Sequence, residues 1–112
     1  MTGYTRIYTG KDGESHFEDV DVELKDLEPG RHGSAPLKAA QVFFLERESR
    51  GPWHVAPQRQ FLIITGGELV VEIGDGSKRR FVPGDVVLAE DTTGRGHFSH
   101  GVNMRAVVVP LA

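Results

Sequence analysis

The chain has 112 residues, 38% of them hydrophobic, with 13 Lys plus Arg against 16 Asp plus Glu and a formal charge of −3. That length suits one domain, residues 1–112, with a core of its own, and the acidic balance argues against nucleic acid as a partner, because phosphate binding needs a basic face. The absence of cysteine excludes disulfides, thiolate nucleophiles and cysteine-based metal sites.

The first residues carry no apolar leader, and no window approaches a membrane span. A soluble, cytoplasmic protein with no membrane partner is therefore expected. Tyr4 to Thr9 is rich in β-branched and aromatic residues and predicts a short strand. Tyr4 and Tyr8, four apart, share a face and read as packing residues. Residues 10–13, Gly-Lys-Asp-Gly, predict a turn.

From Ser15 to Leu24, apolar and acidic residues alternate. Val20, Val22 and Leu24 fall on one face at period 2. Phe17 is out of phase with them, which predicts a bend or bulge near Glu18 and Asp19. The acids Glu18, Asp19, Asp21, Glu23, Asp26 and Glu28 are expected to face solvent. An acidic edge of that kind also discourages stray strand pairing.

Glu28 to Pro36, with two Pro, two Gly and a Ser, reads as a loop. Lys38 to Glu46 fits a short helix or a strand. Its Val42-Phe43-Phe44-Leu45 run favours a strand buried on both faces for part of its length. Arg47 to Pro52 is expected to be a loop.

Phe61 to Thr65 and Leu69 to Ile73 are strand-forming runs on either side of Gly66-Gly67. Paired glycines between such runs predict a hairpin, since either can take a positive φ without a Cβ penalty. Gly74 to Ser77 predicts a second tight turn. Arg79 to Val82 is then a strand ended by Pro83-Gly84, and the Lys78-Arg79-Arg80 run reads as its solvated edge. Asp85 to Ala89 follows as a strand, Glu90 to Gly96 as a polar loop, and His97 to His100 as a short strand. Met104 to Val109 is the last. The total is about nine or ten short strands with frequent turn signals, the pattern of an all-β sandwich or barrel.

Two stretches resemble the motifs of the cupin superfamily of small β-barrels. Trp53-His54-Val55-Ala56 through Gln60 to Gly66-Gly67 is similar to the first motif, G-x5-H-x-H-x(3,4)-E-x6-G. His54 falls on its first histidine, Ala56 on its second and Gln60 on its glutamate. Pro83 to His97 is similar to the second motif, G-x5-P-x-G-x2-H-x3-N. Gly84 opens it, and Gly94 with His97 closes it. The spacing from Gly84 to Gly94 exceeds the pattern by two residues, and Asn103 is not at the asparagine spacing. The resemblance implies a double-stranded β-helix or jelly-roll barrel. Residues 1–37 would supply N-terminal strands and a loop, and residues 38–112 the barrel core carrying both motifs. It also implies a homodimer.

Typical cupins hold a divalent metal through three histidines and a glutamate inside the barrel. Here the matching positions leave His54, Gln60 and His97 as metal ligands for Zn, Fe, Mn, Ni or Cu. The set has no anion, and the familiar open iron site uses two histidines and a carboxylate. Either a small-molecule ligand or water completes it, or no metal is held and His54 and Gln60 form a satisfied polar pair. His54 and His97 are also the candidate catalytic bases. Glu90 or Asp91 would approach from the loop. His100, three residues from His97, points to the opposite strand face and is the weaker ligand.

Trp53, Gln58, Arg59 and Gln60 are the candidate pocket residues. Trp53 reads either as a lid on the core or as a pocket wall. Arg59 either anchors an anion or faces solvent beside Glu68. His16 and His32 read as surface residues. No nucleophile elbow, P-loop or dinucleotide-binding glycine pattern is present. Two functions follow: a lumen that binds a small molecule with metal-assisted chemistry, or a non-catalytic binding or interaction module whose metal site has decayed.

Overall fold

The computed structural model describes residues 2–48 and 51–112. Among them are nine strands and no helix: β1 (Gly3–Thr9), β2 (Ser15–Asp21), β3 (Lys25–Glu28), β4 (Arg31–Gly33), β5 (Phe43–Arg47), β6 (Gln60–Glu72), β7 (Lys78–Phe81), β8 (Val86–Ala89) and β9 (Phe98–Pro110). The all-β class expected from the strand spacing is the class observed. Seven strands form one mixed sheet in the order β2-β1-β8-β6-β9-β5, with β7 beside β6. Among the described residues only the β1–β8 pairing is parallel. Of the residues before position 38, β1 and β2 are part of the main sheet, with Ile7 of β1 in the core, whereas β3 and β4 pair only with each other in a separate two-stranded sheet.

The sheet folds around a core of Ile7, Ile64, Leu69, Val71, Phe81, Val87, Met104 and Ala106. These inward residues alternate with outward ones along each strand, as a pleated strand requires. β5, at one edge, returns Phe43, Leu45 and Arg47 to the same lumen that Ile7, Val87 and Ala89 line from the other side.

Five local expectations change. Gly66-Gly67 is not a hairpin turn. β6 runs through it for 13 residues and pairs with β9 along most of its length, with register shifts on both sides of Gly66. Before the glycines β6 pairs with β8, and after them with β7. Gly67 has φ +60, and a Cβ there would lie 2.2 Å from the Asn103 carbonyl oxygen. The glycines thus make a bulge that bends a continuous strand. Opposite them Asn103 adopts φ 48, a conformation asparagine tolerates better than most residues. The strands expected at 97–100 and 104–109 accordingly join as one strand, β9.

The bend expected near Glu18 is absent, because β2 pairs with β1 in unbroken register from Ser15 to Asp21. Phe17 and Ile7 are partners and pack inward, whereas Val20 lines an outer groove with Tyr4, Val22 and Leu24. The Glu28–Pro36 loop instead contains β4, paired with β3 across Pro29-Gly30. Finally, the 43–45 run is strand but is not buried on both faces: Leu45 packs on the core while Phe44 is 85% exposed. Of the expected 47–52 loop, Ser49 and Arg50 lie outside the described residues, and Arg47 ends β5.

Candidate functional site

One end of the lumen is closed by two non-adjacent segments brought together through their backbones. His54 N–H donates to the His97 carbonyl and His97 N–H to the His54 carbonyl, both at 2.8 Å. This two-bond bridge sets the rings edge to face, with centroids 4.7 Å apart. Gly96 permits the approach. It has φ +81, and a Cβ there would stand 2.1 Å from the His54 carbonyl oxygen.

The loop that carries Asp91 is fastened just behind the bridge. Glu90 N–H donates to the Ile7 carbonyl, and Ala56 N–H donates to the Asp91 carbonyl. The Glu90 carboxylate accepts from Arg6 Nε at 2.5 Å and also from Arg59 Nε. Burial pushes the Glu90 carboxyl up, but the hydrogen bonds from Arg6 and Arg59 and their charges outweigh it and hold it below the usual range. The same contact with Glu90 raises Arg6.

Asp91 is fully buried. Its Oδ2 accepts from Ser15 Oγ at 2.6 Å and from His97 Nδ1 at 2.5 Å, while Oδ1 has no partner. His54 Nδ1 donates to the Pro52 carbonyl at 2.7 Å. Both imidazoles thus commit Nδ1–H, so each neutral ring carries its lone pair on Nε2. An imidazole whose other nitrogen is tied to a carboxylate or carbonyl is the arrangement found around metal-ligating histidines. Gln60 Oε1 is buried with no partner, an uncompensated acceptor of the kind that normally finds a donor or cation.

His54, Gln60 and His97 line one cavity of about 380 Å³ together with Ala56, Arg47 and Ser99. The rest of its wall is apolar: Phe43, Leu45, Leu62, Leu69, Val71 and Met104 among others. Ala56 is buried at the position where the motif has its second histidine. Its methyl group keeps that side of the lumen free of a ligand atom. Among the described residues no three His, Cys, Asp or Glu side chains are grouped to hold a metal ion. The available set is two imidazoles and an amide oxygen, all neutral.

Gln58 and Arg59 are exposed, and neither borders this cavity. Arg59 is bound to Glu90, not placed beside Glu68, whose partner is Arg80. Trp53 stacks on Phe98 with centroids 6.2 Å apart and lies under the Arg95 guanidinium, away from the lumen wall. His100 borders a separate surface pocket with Val70, Glu72, Lys78 and Phe98, as the opposite-face parity predicts. His16 and His32 pair with Asp12 and Asp26 at the surface. Arg47, Ser99 and Ser15 were not expected in the site. Alternation along β5 and β9 carried the signal for the first two, once the inward faces were known. Ser15 is reachable only through the β1–β2 register.

No family model matches the chain, and no curated protein matches it. Among solved structures, protein NMB1881 from Neisseria meningitidis is similar over 82% of this chain and 83% of its own, with a TM-score of 0.55 and 17% identity. That likeness is one of fold. KdgF from Halomonas sp. aligns over 80% of this chain and 87% of its own at 22% identity, with a TM-score of 0.43, too low to carry weight. This chain is thus a small all-β protein that shares its fold with the Neisseria protein.

Proposed function

We propose that the chain is a small cupin that binds a small molecule in its lumen, with His54, His97 and Gln60 holding one divalent metal at the closed end. The observation that carries this reading is the convergence of two Nδ1-committed imidazoles with a buried, partnerless amide oxygen on one cavity. Bound there, a metal would supply Lewis acidity toward the ligand. The protein's own part is to fix the rings. Asp91 holds His97 in the Nδ1–H tautomer, Pro52 does the same for His54, and the apolar wall excludes water. A neutral ligand set binds metal weakly, so the affinity should lie well below that of a site with a carboxylate.

A second reading is favoured by Ala56 and by Gln60 in place of a carboxylate: a binding module without catalysis. Metal analysis of tag-free protein separates the two. Stoichiometric metal in the wild type, lost in His54→Ala and His97→Ala, is expected for the first reading. Its absence would leave the second. Ala56→His with Gln60→Glu should raise metal affinity.

We further propose a cytoplasmic homodimer. The outer face of β1, β2 and β6 exposes an apolar groove lined by Tyr4, Val20, Val22, Leu24, Leu37 and Ile63. Covering such a patch is the usual resolution of its exposure. Light scattering at micromolar concentration should give twice the chain mass.

A further inference from the structure

The inward row of β5 reads Phe43, Leu45, Arg47: two apolar residues and then a cation. Arg47 is part-buried, and its Nη1 donates to Ser99 Oγ at 2.5 Å. Among the described residues it has no ion pair, whereas Arg6, Arg31, Arg59, Arg79, Arg80, Arg95 and Arg105 each have at least one. A guanidinium offers five donors in a planar fork. One is used here. The serine that takes it is neutral, so it orients the head group and leaves the charge uncompensated.

Placement gives that charge a direction. A Cβ built at Gly51 would lie 3.3 Å from Arg47 Nη1 and 4.0 Å from His54 Cε1, so the guanidinium and the His54 ring converge on the same point of backbone. Gly51 N–H donates to the Ser99 carbonyl at 3.2 Å, which straps the segment over them. The walls of the cavity beyond are aliphatic and aromatic. A part-buried cation with no ion pair among the described residues gains from an anion that meets it in such a wall. Among the described residues no carboxylate borders the cavity, because Asp91 and Glu90 lie behind it and are already bound.

We propose that the lumen selects a small monocarboxylate with a compact apolar body, and that Arg47 is its specificity-determining residue. The guanidinium grips the carboxylate through its remaining donors, and the apolar part packs against Phe43, Leu45, Leu69 and Met104. About 380 Å³ lies toward the lower end of ligand-pocket sizes, which limits the body to one short branched chain or one ring. This rests on the reading that the lumen is a small-molecule site but not on a metal being present.

The test is calorimetric titration of the metal-stripped protein with 4-methylpentanoate and 3-phenylpropanoate and with their primary amides, which match them in shape and lack the charge. The acids are expected to bind about tenfold or more tightly than the amides, the usual worth of a charge-assisted hydrogen bond. Arg47→Gln should erase that difference, and Arg47→Lys should keep part of it. Acid and amide binding equally to the unaltered protein would overturn the proposal and leave the small-molecule site standing. So would full acid preference in Arg47→Gln. If neither acid nor amide binds, both the proposal and the site fall. Because the acid–amide comparison uses the unaltered chain, it holds even if a variant folds poorly.

Discussion

Two positive-φ glycines, one in the middle of β6 and one just ahead of β9, make close backbone contacts and do different things. At Gly67 a Cβ would meet the carbonyl oxygens of Asn103 and Val102 at 2.2 and 2.3 Å, and at Gly96 that of His54 at 2.1 Å. The first glycine lies within β6, at a bulge in its pairing with β9, and its effect is to bend both strands so that one sheet can fold around a lumen. The second lies between a polar loop and the start of β9. Its effect is to let two distant histidines exchange backbone hydrogen bonds. The same local device shapes the container in one place and assembles its chemical end in the other. Which outcome results depends on what sits across from the glycine, not on the glycine.

Gly67→Ala should cause the largest loss. The left-handed φ and the clash with two carbonyl oxygens held in paired strands together cost about 4 kcal/mol. Urea unfolding would show a lower midpoint, and an unchanged midpoint would mean that the bend relaxes freely. Gly96→Ala should cost less, about 3 kcal/mol, because the His54 segment is joined by an isolated bridge and can yield. It should nevertheless abolish ligand and metal binding, which Gly67→Ala need not do in the fraction that remains folded. Retained binding in Gly96→Ala would break the contrast.

Asp91→Asn sharpens the site end of the comparison. It weakens two hydrogen bonds to a fully buried group, from Ser15 and His97, at about 2 kcal/mol. It also releases the His97 tautomer. The ring's nitrogen resonances by NMR should therefore show a shift in tautomer population, while those of His16 stay unchanged.

The smallest effect concerns Glu90, which fastens the Asp91 loop to β1 and to Arg59. Its folded carboxyl titrates below the usual range because of Arg6 and Arg59. A group depressed in the folded state stabilises above its unfolded value, about 4.3 for glutamate. That contribution is lost as pH falls through the folded value. Glu90→Gln should cost about 1 kcal/mol at neutral pH and flatten the acid limb of stability against pH. An equally steep acid limb in the variant would place the pH sensitivity elsewhere.

Local patterning is enough for the period of the strands and the turns at Gly10–Gly13 and Gly74–Ser77, and the resemblance to the cupin motifs anticipates that His54, Gln60 and His97 line one lumen. The first two are carried by alternation along a strand and by a glycine where φ must be positive, the third by a motif spacing. The tertiary structure alone decided what Gly66-Gly67 does, since a turn and a bulge need the same residues and differ only in what lies opposite. It decided that Phe17 faces in and Val20 out, because β1 fixes the register of β2. It placed Gln58 and Arg59 outside the lumen, since Pro57 breaks the strand parity that would have ranked them, and Arg47 within it, since only the pairing of β5 with β9 fixes which face of β5 turns inward. It also put Asp91 behind His97 and Ser15 behind Asp91, across 76 residues of chain. Long-range register is a property of the whole sheet, and no local stretch of sequence encodes it.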